Sequence, residues 1–328
     1  MTRDELLAIL WQNADSYVSG EELARRLLVS RTAVWKSISK LREDGYEIES
    51  VPNRGYRLRS ASDVLSVDGI VRYLRHRELK IQVYKSISST NTVLKGLAAE
   101  GAQAGLALVA GEQTAGRGRM GRSFYSPADS GLYLSLLLHP ALPAAEAVRL
   151  TACAAVAVAE SVEELSGRAA GIKWVNDVYI DGRKVCGILT EASLDCESGM
   201  MRYVVIGIGV NTHVPAGNFP EELQGIAGAA FGGEQIPELR CRLAAGILDR
   251  LMDYTAKPDD PAIFEAYKKR SFLLGQEINI LYPGKAPVPA VAVGLDEDYS
   301  LLTRLGDGSV KKLSSGEVSV RSILYYVS

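Results

Sequence analysis

Residues Gly111 to Ser126, GEQTAGRGRMGRSFYS, constrain this chain more than any other stretch. Arg117, Arg119 and Arg122 fall within six residues, spaced by Gly116, Gly118 and Gly121, directly after an apolar run, GLALVA, that reads as a strand. Glycine lets the backbone approach a ligand and present its N–H groups, and arginine offers a planar, permanently charged fork for carboxylate or phosphate oxygens. The letters from Gly116 to Gly121 also spell G-x-G-x-x-G. That dinucleotide fingerprint needs a helix opening within the glycines and an acidic residue about twenty positions on. Here the glycines lead into a turn-rich SFYSPADSG, and the region near His139 and Pro140 is apolar. The loop is therefore an anion cradle, with a solvated Gly/Arg surface loop as the plain alternative.

With 328 residues the chain has room for two or three domains. A formal net charge of −2 gives no global field for nucleic acid, so any such site is local. Cys153, Cys186, Cys196 and Cys241 show no C-x-x-C spacing and are expected to be buried reduced thiols. His76, His139 and His213 lie far apart, so no metal site is expected. The N-terminus lacks a signal-peptide pattern, and the longest apolar stretch, LTACAAVAVA, is too short to span a bilayer; a cytoplasmic protein without membrane partners is expected.

The first domain, 1–62, reads as helices followed by a hairpin. Ser19 and Glu22 form a capping box for GEELARRLL, with Leu23 and Leu27 on one face. Ser30 caps RTAVWKSISKLRED, whose Val34, Ile38 and Leu41 face inward and leave Arg31, Thr32, Trp35, Lys36 and Ser39 outward. YEIES, a VPNRG turn and YRL form a wing. This pattern resembles a winged helix-turn-helix. From Arg25 to Arg59 nine Lys/Arg stand against four Asp/Glu, a balance of +5. Arg31, Thr32, Trp35 and Lys36 are the expected DNA contacts on the second helix, and Arg54 at the wing tip reaches backbone or minor groove. A helical interaction module with a solvated basic face is the alternative.

Ser60 to Asp63 is the expected linker, and a mixed α/β domain follows over 63–271. KIQVYKSI is strand-like, Ser89 or Thr90 caps the helix in SSTNTVLKGLAAEG, GLYLSLLLHP is a buried strand, and AEAVRLTACAAVAVAESVEELSG is a long helix. IKWVNDVYI and KVCGILTE read as paired strands about the turn Asp181-Gly182, which places Lys173 and Lys184 on adjoining strands. Either lysine is a functional cation or a snorkelling residue on an amphipathic strand. YVVIGIGVN ends in glycines and Asn211, where backbone can lie close to a ligand. Arg240 to Ser271 is helical. Over 272–328 five short runs alternate with turns and read as a small SH3-like barrel.

No Walker A sequence occurs, so nucleotide handling falls to arginines and glycine backbone. Clustered arginines with a semi-buried lysine suit a reaction between two anions, such as carboxylate attack on the α-phosphate of ATP. GRGRMGRSFYSP, the S-S-T-N of Ser88 to Asn91, KWVNDVYI, KVCGIL and GIGVN resemble, in order, the signature blocks of biotin protein ligases. With the winged helix, the match is to the bifunctional form, the biotin operon repressors. The resemblance implies a multidomain α+β chain whose central domain is a class II synthetase-like α/β catalytic fold with a mixed sheet.

It also implies roles. Ser89, Thr90, Asn91, Gln113, Gly116, Arg117, Gly118, Arg119, Lys184 and Gly187 would bind biotin. Arg119, Arg122, Phe124, Lys173, Asn176, Lys184 and Asn211 would bind ATP or the adenylate, with Lys184 and Arg119 catalytic and Mg2+ accompanying ATP. Biotin would pass to a lysine of a biotin carboxyl carrier domain, as in acetyl-CoA carboxylase or another biotin-dependent carboxylase. A ligand-induced homodimer would bind operator DNA. Val175 and Phe124 depart from the family's common proline and tryptophan; the first would loosen a strand end, the second keeps an aromatic face without an indole N–H. A ligand-sensing winged-helix factor without catalysis, and a lipoate or octanoate transferase, are the competing readings. The glycine-spaced arginines are further expected to leave the loop without backbone shape until an anionic ligand orders it.

Overall fold

The computed structural model describes residues 3–59, 63–195, 197–233, 236–282, 286–314 and 319–322. Its contacts divide into one unit formed by Met1–Tyr73 with Gly233–Arg242 and a second formed by Leu74–Gly232 with Leu243–Ser328.

In the first unit the Ser19 and Ser30 caps act as expected, but the capping box is half formed and its helix ends at Arg26. Ser19 Oγ accepts from Glu22 N at 3.0 Å and opens α2 (Gly20–Arg26). The Glu22 carboxylate engages Arg26 one turn on. Ser30 Oγ accepts from Ala33 N at 3.1 Å and opens α3 (Arg31–Glu43), whose Val34, Ile38 and Leu41 are fully buried. Each such burial contributes roughly 1.5–3 kcal/mol. These side chains close on Leu6, Leu7 and Leu10 of α1 (Arg3–Gln12), an amphipathic helix that the reading of the N-terminus passed over. The wing is β1 (Ile48–Val51) paired antiparallel with β2 (Gly55–Leu58). Of the expected linker, 60–62 lie outside the described residues; Asp63 is held by Arg240, whose N and Nε donate to its carboxylate at 2.8 Å each. A short α4 (Val67–Tyr73) completes the unit.

The second unit is organised on a seven-stranded sheet in the order β3-β4-β5-β9-β8-β7-β6. β3 (Lys80–Tyr84), α5 (Thr90–Ala99) and β4 (Leu106–Ala110) form a right-sized parallel crossover, and every other pairing is antiparallel, so the sheet is mixed. β5 (Gly131–Leu138) is buried along its whole length. The alanine-rich α6 (Ala147–Ser166), buried from Leu150 to Ala159, packs on the sheet, and Gly167 ends it in the left-handed conformation at φ 67°.

IKWVNDVYI is not one strand: β6 (Gly171–Lys173) turns at Trp174–Asn176 into β7 (Asp177–Ile180), with Lys173 opposite Asp177. β7 then pairs with β8 (Arg183–Leu194) across Asp181 and Gly182, both at positive φ as an Asp-Gly hairpin requires. Lys173 and Lys184 are therefore not on adjoining strands, because β7 lies between them. The short hairpin wins because Val175 is 1% exposed and its carbonyl accepts from the buried Tyr267 hydroxyl at 3.1 Å, which fixes the turn inward. The expected loosening at Val175 does not occur.

β9 (Met201–Asn211) pairs with β5 and β8. The helical stretch is two helices, α7 (Leu239–Thr255) and α8 (Pro261–Arg270), the second capped by Asp260. The C-terminal strands β10 (Glu277–Leu281), β11 (Val288–Leu295), β12 (Leu301–Leu305), β13 (Val310–Leu313) and β14 (Ser319–Ser322) form one antiparallel sheet in the order β13-β12-β11-β10-β14. Among the described residues no helix is long and apolar enough to cross a membrane.

Candidate active site

Several segments of the chain converge on a cavity of about 820 Å³. The arginine loop contributes Gln113, Arg117, Gly118, Arg119, Arg122 and Phe124. The N-terminus of α5 contributes Ser89, Thr90 and Asn91, the β6–β7 turn Lys173 and Asn176, and β8 Lys184 and Gly187. Gly116 and Asn211 are not among its lining residues. Gly116 is needed for the loop itself, since a Cβ there would lie 2.4 Å from Phe124 O. Asn211 Nδ2 donates to Gly228 O at 3.2 Å and so holds the segment beside the start of β8.

The loop has a definite backbone. Gly118 N donates to Arg122 O at 2.7 Å and Phe124 N to Gly116 O at 2.9 Å, Arg117 and Ser123 form a β-bridge, and Met120 and Gly121 turn at φ 55° and 74°.

The polar end of the cavity is a proton-ordered network. The N-cap is Ser89, whose Oγ accepts from Thr92 N at 3.4 Å, which resolves the choice between Ser89 and Thr90. Asn91 Nδ2 donates to Leu189 O and Glu191 Oε2, both at 3.1 Å, which sets its amide orientation. Its Oδ1 can only accept, so the fully buried Ser135 hydroxyl, 2.6 Å away, donates to it; Ser135 Oγ also lies 2.7 Å from the Thr90 hydroxyl, which donates to Gln113 Oε1 at 3.1 Å. Gln113 Oε1 accepts from Thr90 N at 2.9 Å, and Gln113 Nε2 donates to Ser126 Oγ at 3.1 Å. Burial alone would raise the Glu191 carboxyl, but hydrogen bonds from Lys95 and Asn91 hold it below the usual carboxylate range.

The charged end joins Lys184, Asp177, Arg119 and Asn176. Lys184 Nζ lies 2.7 Å from Asp177 Oδ1, a charge contact off the hydrogen-bond angle. Arg119 Nη1 donates to Asn176 Oδ1 at 2.9 Å, and Asn176 Nδ2 donates to Ile188 O at 2.8 Å. Partial burial lowers the Arg119 pKa, with Asp177 opposing that shift. Arg117 and Arg122 are exposed at the loop, and Lys173 Nζ lies 5.8 Å from the Tyr179 ring centroid.

Three glycines make the floor. A Cβ on Gly207 would meet Asn91 Oδ1 at 1.9 Å, and one on Gly209 would meet the Phe124 ring at 2.5 Å. Gly187 pairs with Gly209 in register, and a Cβ there would lie 3.1 Å from the same ring. Ser135, Glu191 and Asp177 were missed in the sequence; the one available signal was Ser135 as the lone polar residue inside GLYLSLLL.

In the first unit, Arg31, Thr32, Trp35 and Lys36 are exposed on α3, and Arg54 is exposed on the wing turn. Cys153, Cys186 and Cys241 are buried free thiols; burial pushes Cys153 and Cys241 up to about 12 and Cys186 up as well, so they are poor nucleophiles. Cys196 lies outside the described residues.

Comparison with known proteins follows the same division. Residues 2–57 match an HTH domain, 83–211 the Biotin/lipoate A/B protein ligase family, and 273–321 the Biotin protein ligase C terminal domain. The chain is 34% identical to the bifunctional ligase/repressor BirA of Bacillus subtilis, over 97% of this chain and 98% of that protein. It is 29% identical to the bifunctional ligase/repressor BirA of Escherichia coli, over 97% of each. The biotin protein ligase from Aquifex aeolicus, solved in complex with biotin and ATP, superposes with a TM-score of 0.61 at 29% identity, covering 74% of this chain and 99% of that one.

Proposed function

Because this chain belongs to the biotin protein ligase family, in its bifunctional ligase/repressor branch, we propose that the cavity under the arginine loop is where biotin and ATP become biotinyl-5′-AMP. The protein is an ATP-dependent biotin protein ligase and a biotin-responsive repressor. The observation that carries the site assignment is the meeting of Lys184, Arg119 and the Ser89–Asn91 cap in one cavity.

Biotin's polar ring lies at the ordered network of Ser89, Thr90, Asn91 and Gln113, with Arg117 and Gly118 above it and Gly187 beneath. Its carboxylate oxygen attacks the α-phosphorus of ATP in line, pyrophosphate leaves, and a mixed anhydride forms. Both reactants are anions, so Lys184 and Arg119 bring them together and stabilise charge on the five-coordinate phosphorus. Asp177, 2.7 Å from Nζ, holds the Lys184 ammonium at the cavity wall. Arg122, Lys173 and Asn176 hold the nucleotide, with Phe124 against adenine, while Asn211 supports the segment beside β8 from outside the cavity; Mg2+ bound with ATP would offset triphosphate charge. A neutral acceptor amine then attacks the acyl carbon, forming an amide and releasing AMP.

The acceptor is a lysine on a biotin carboxyl carrier domain of acetyl-CoA carboxylase or another biotin-dependent carboxylase. Operator DNA is met by Arg31, Thr32, Trp35, Lys36 and Arg54, and the adenylate-loaded chain binds it as a homodimer in the cytoplasm. Separate family matches at 2–57, 83–211 and 273–321 support three domains, over 1–62, 63–271 and 272–328, although contacts group 63–73 and 233–242 with the first. Five short antiparallel strands with a bulge at Ala292/Gly294 support an SH3-like barrel for the last domain. Biotin-dependent exchange of pyrophosphate into ATP tests the assignment. Wild type exchanges, and Lys184→Met keeps its fold but exchanges roughly 10²- to 10³-fold more slowly. Near-normal exchange by that variant removes Lys184 from the chemistry.

A further inference from the structure

Three arginines stand on or beside the wing, and a count of charges would send all of them to DNA. Local geometry divides them. Glu49 on β1 lies opposite Arg57 on β2; it accepts from Arg57 Nε at 3.0 Å and from Arg57 Nη2, and lies 3.3 Å from Arg59 Nε. Arg54 has no ion pair among the described residues. Its guanidinium lies over the Tyr17 ring, 4.5 Å from the centroid, with Arg57 at 4.8 Å from the same ring. Tyr17 is itself fixed. Its hydroxyl donates to Glu49 at 3.2 Å, and the next residue, Val18, exchanges backbone hydrogen bonds with Tyr56 at 2.8 and 2.9 Å. Gly55, at φ 103°, allows that approach, since a Cβ there would sit 2.1 Å from Val18 O.

A guanidinium stacked on an aromatic face keeps its edge N–H groups free, and that edge is the fork a phosphate accepts. We propose that Tyr17 is a positioning platform that presents Arg54 to a backbone phosphate of DNA, while Glu49 withdraws Arg57 and Arg59 from that contact. This rests on the DNA-binding reading of the first domain and adds which wing cation acts and what holds it.

The test is a titration of the full chain, loaded with biotin and ATP, against a random-sequence duplex between 50 and 200 mM salt. Active protein is counted from the burst of biotinyl-AMP. Arg54→Ala should flatten the log–log salt slope by about 0.9, so that the salt rise weakens binding about 3.5-fold less than in wild type. Tyr17→Leu should flatten it equally and add nothing to Arg54→Ala, whereas Tyr17→Phe, which keeps the ring, should retain the wild-type slope. Glu49→Gln should steepen it. A wild-type slope in Tyr17→Leu, additivity with Arg54→Ala, failure of phenylalanine to rescue, or no change in Glu49→Gln overturns the platform. A loss confined to A·T-rich duplexes overturns the phosphate assignment in favour of minor-groove insertion. Wild-type protein that binds no duplex at any salt overturns the DNA-binding reading itself.

Discussion

Adding one methyl group at Gly207 should disable biotin binding while leaving the nucleotide side of the cavity in place. The new Cβ would lie 1.9 Å from Asn91 Oδ1, 2.6 Å from its Cγ and 2.8 Å from its Nδ2, where ordinary contact begins near 3.4 Å. Asn91 cannot swing aside without losing its bonds to Leu189 O, Glu191 and Ser135. Three buried hydrogen bonds at about 1 kcal/mol each, less those that re-form, plus about 1–3 kcal/mol of overpacking, give roughly 3–5 kcal/mol. If about 3 kcal/mol of this falls on the ligand site, biotin affinity drops by about 100-fold. Gly209→Ala is the internal control. Its Cβ meets the Phe124 ring at 2.5 Å, but that ring belongs to a partly exposed loop residue and can move outward. Calorimetric titration of biotin into both variants checks this: Gly207→Ala binds weakly, while Gly209→Ala binds biotin nearly normally and has a raised KM for ATP. Gly207→Ala with biotin affinity within about threefold of wild type would refute the reasoning.

Ser135→Ala removes the donor to Asn91 Oδ1 and the polar contact with the Thr90 hydroxyl; the KM for biotin should rise about 5- to 30-fold with a smaller change in kcat, measured by steady-state adenylation. Hydrogen bonds to Asp253 and then Glu78 raise the His76 pKa, so its stabilising charge is fully present below about pH 6.5, the unfolded value, and is lost as pH climbs through the raised native value. Wild-type melting temperature should therefore fall more steeply over that rise than that of His76→Gln, and parallel curves would remove His76 from the balance. Alanine at Arg31 or Lys36 should weaken operator binding and spare biotin transfer, read by duplex titration and by acceptor labelling in parallel.

What the sequence disclosed and what it withheld differ by range. Caps, the Asp181-Gly182 turn and the inward Val34, Ile38 and Leu41 depend on neighbours within a few residues, and each appears in the structure as read. The cavity's lining was legible because the arginine loop, the Ser89–Asn91 cap and Lys184 each carry a local block that resembles a known family. The division of KWVNDVYI into two strands was not legible, because it depends on Tyr267, 92 residues from Val175. Ser135 and Glu191 were hidden for the same reason: a lone serine in an apolar strand gains meaning only when Thr90 and Asn91 arrive beside it. Gly207 and Gly209 were read as places for a ligand's close approach, and they do line the cavity. Their tightest neighbours are nevertheless the protein's own Asn91 and Phe124.

The central claim, that this cavity makes an acyl-adenylate of biotin, is tested most directly by mass spectrometry of small molecules released from the protein after incubation with ATP and biotin, lipoate or octanoate. The expected result is stoichiometric biotinyl-AMP from wild type, none from Lys184→Met, and no adenylate from lipoate or octanoate. Release of unreacted biotin alone, or an adenylate of lipoate or octanoate in its place, would contradict it.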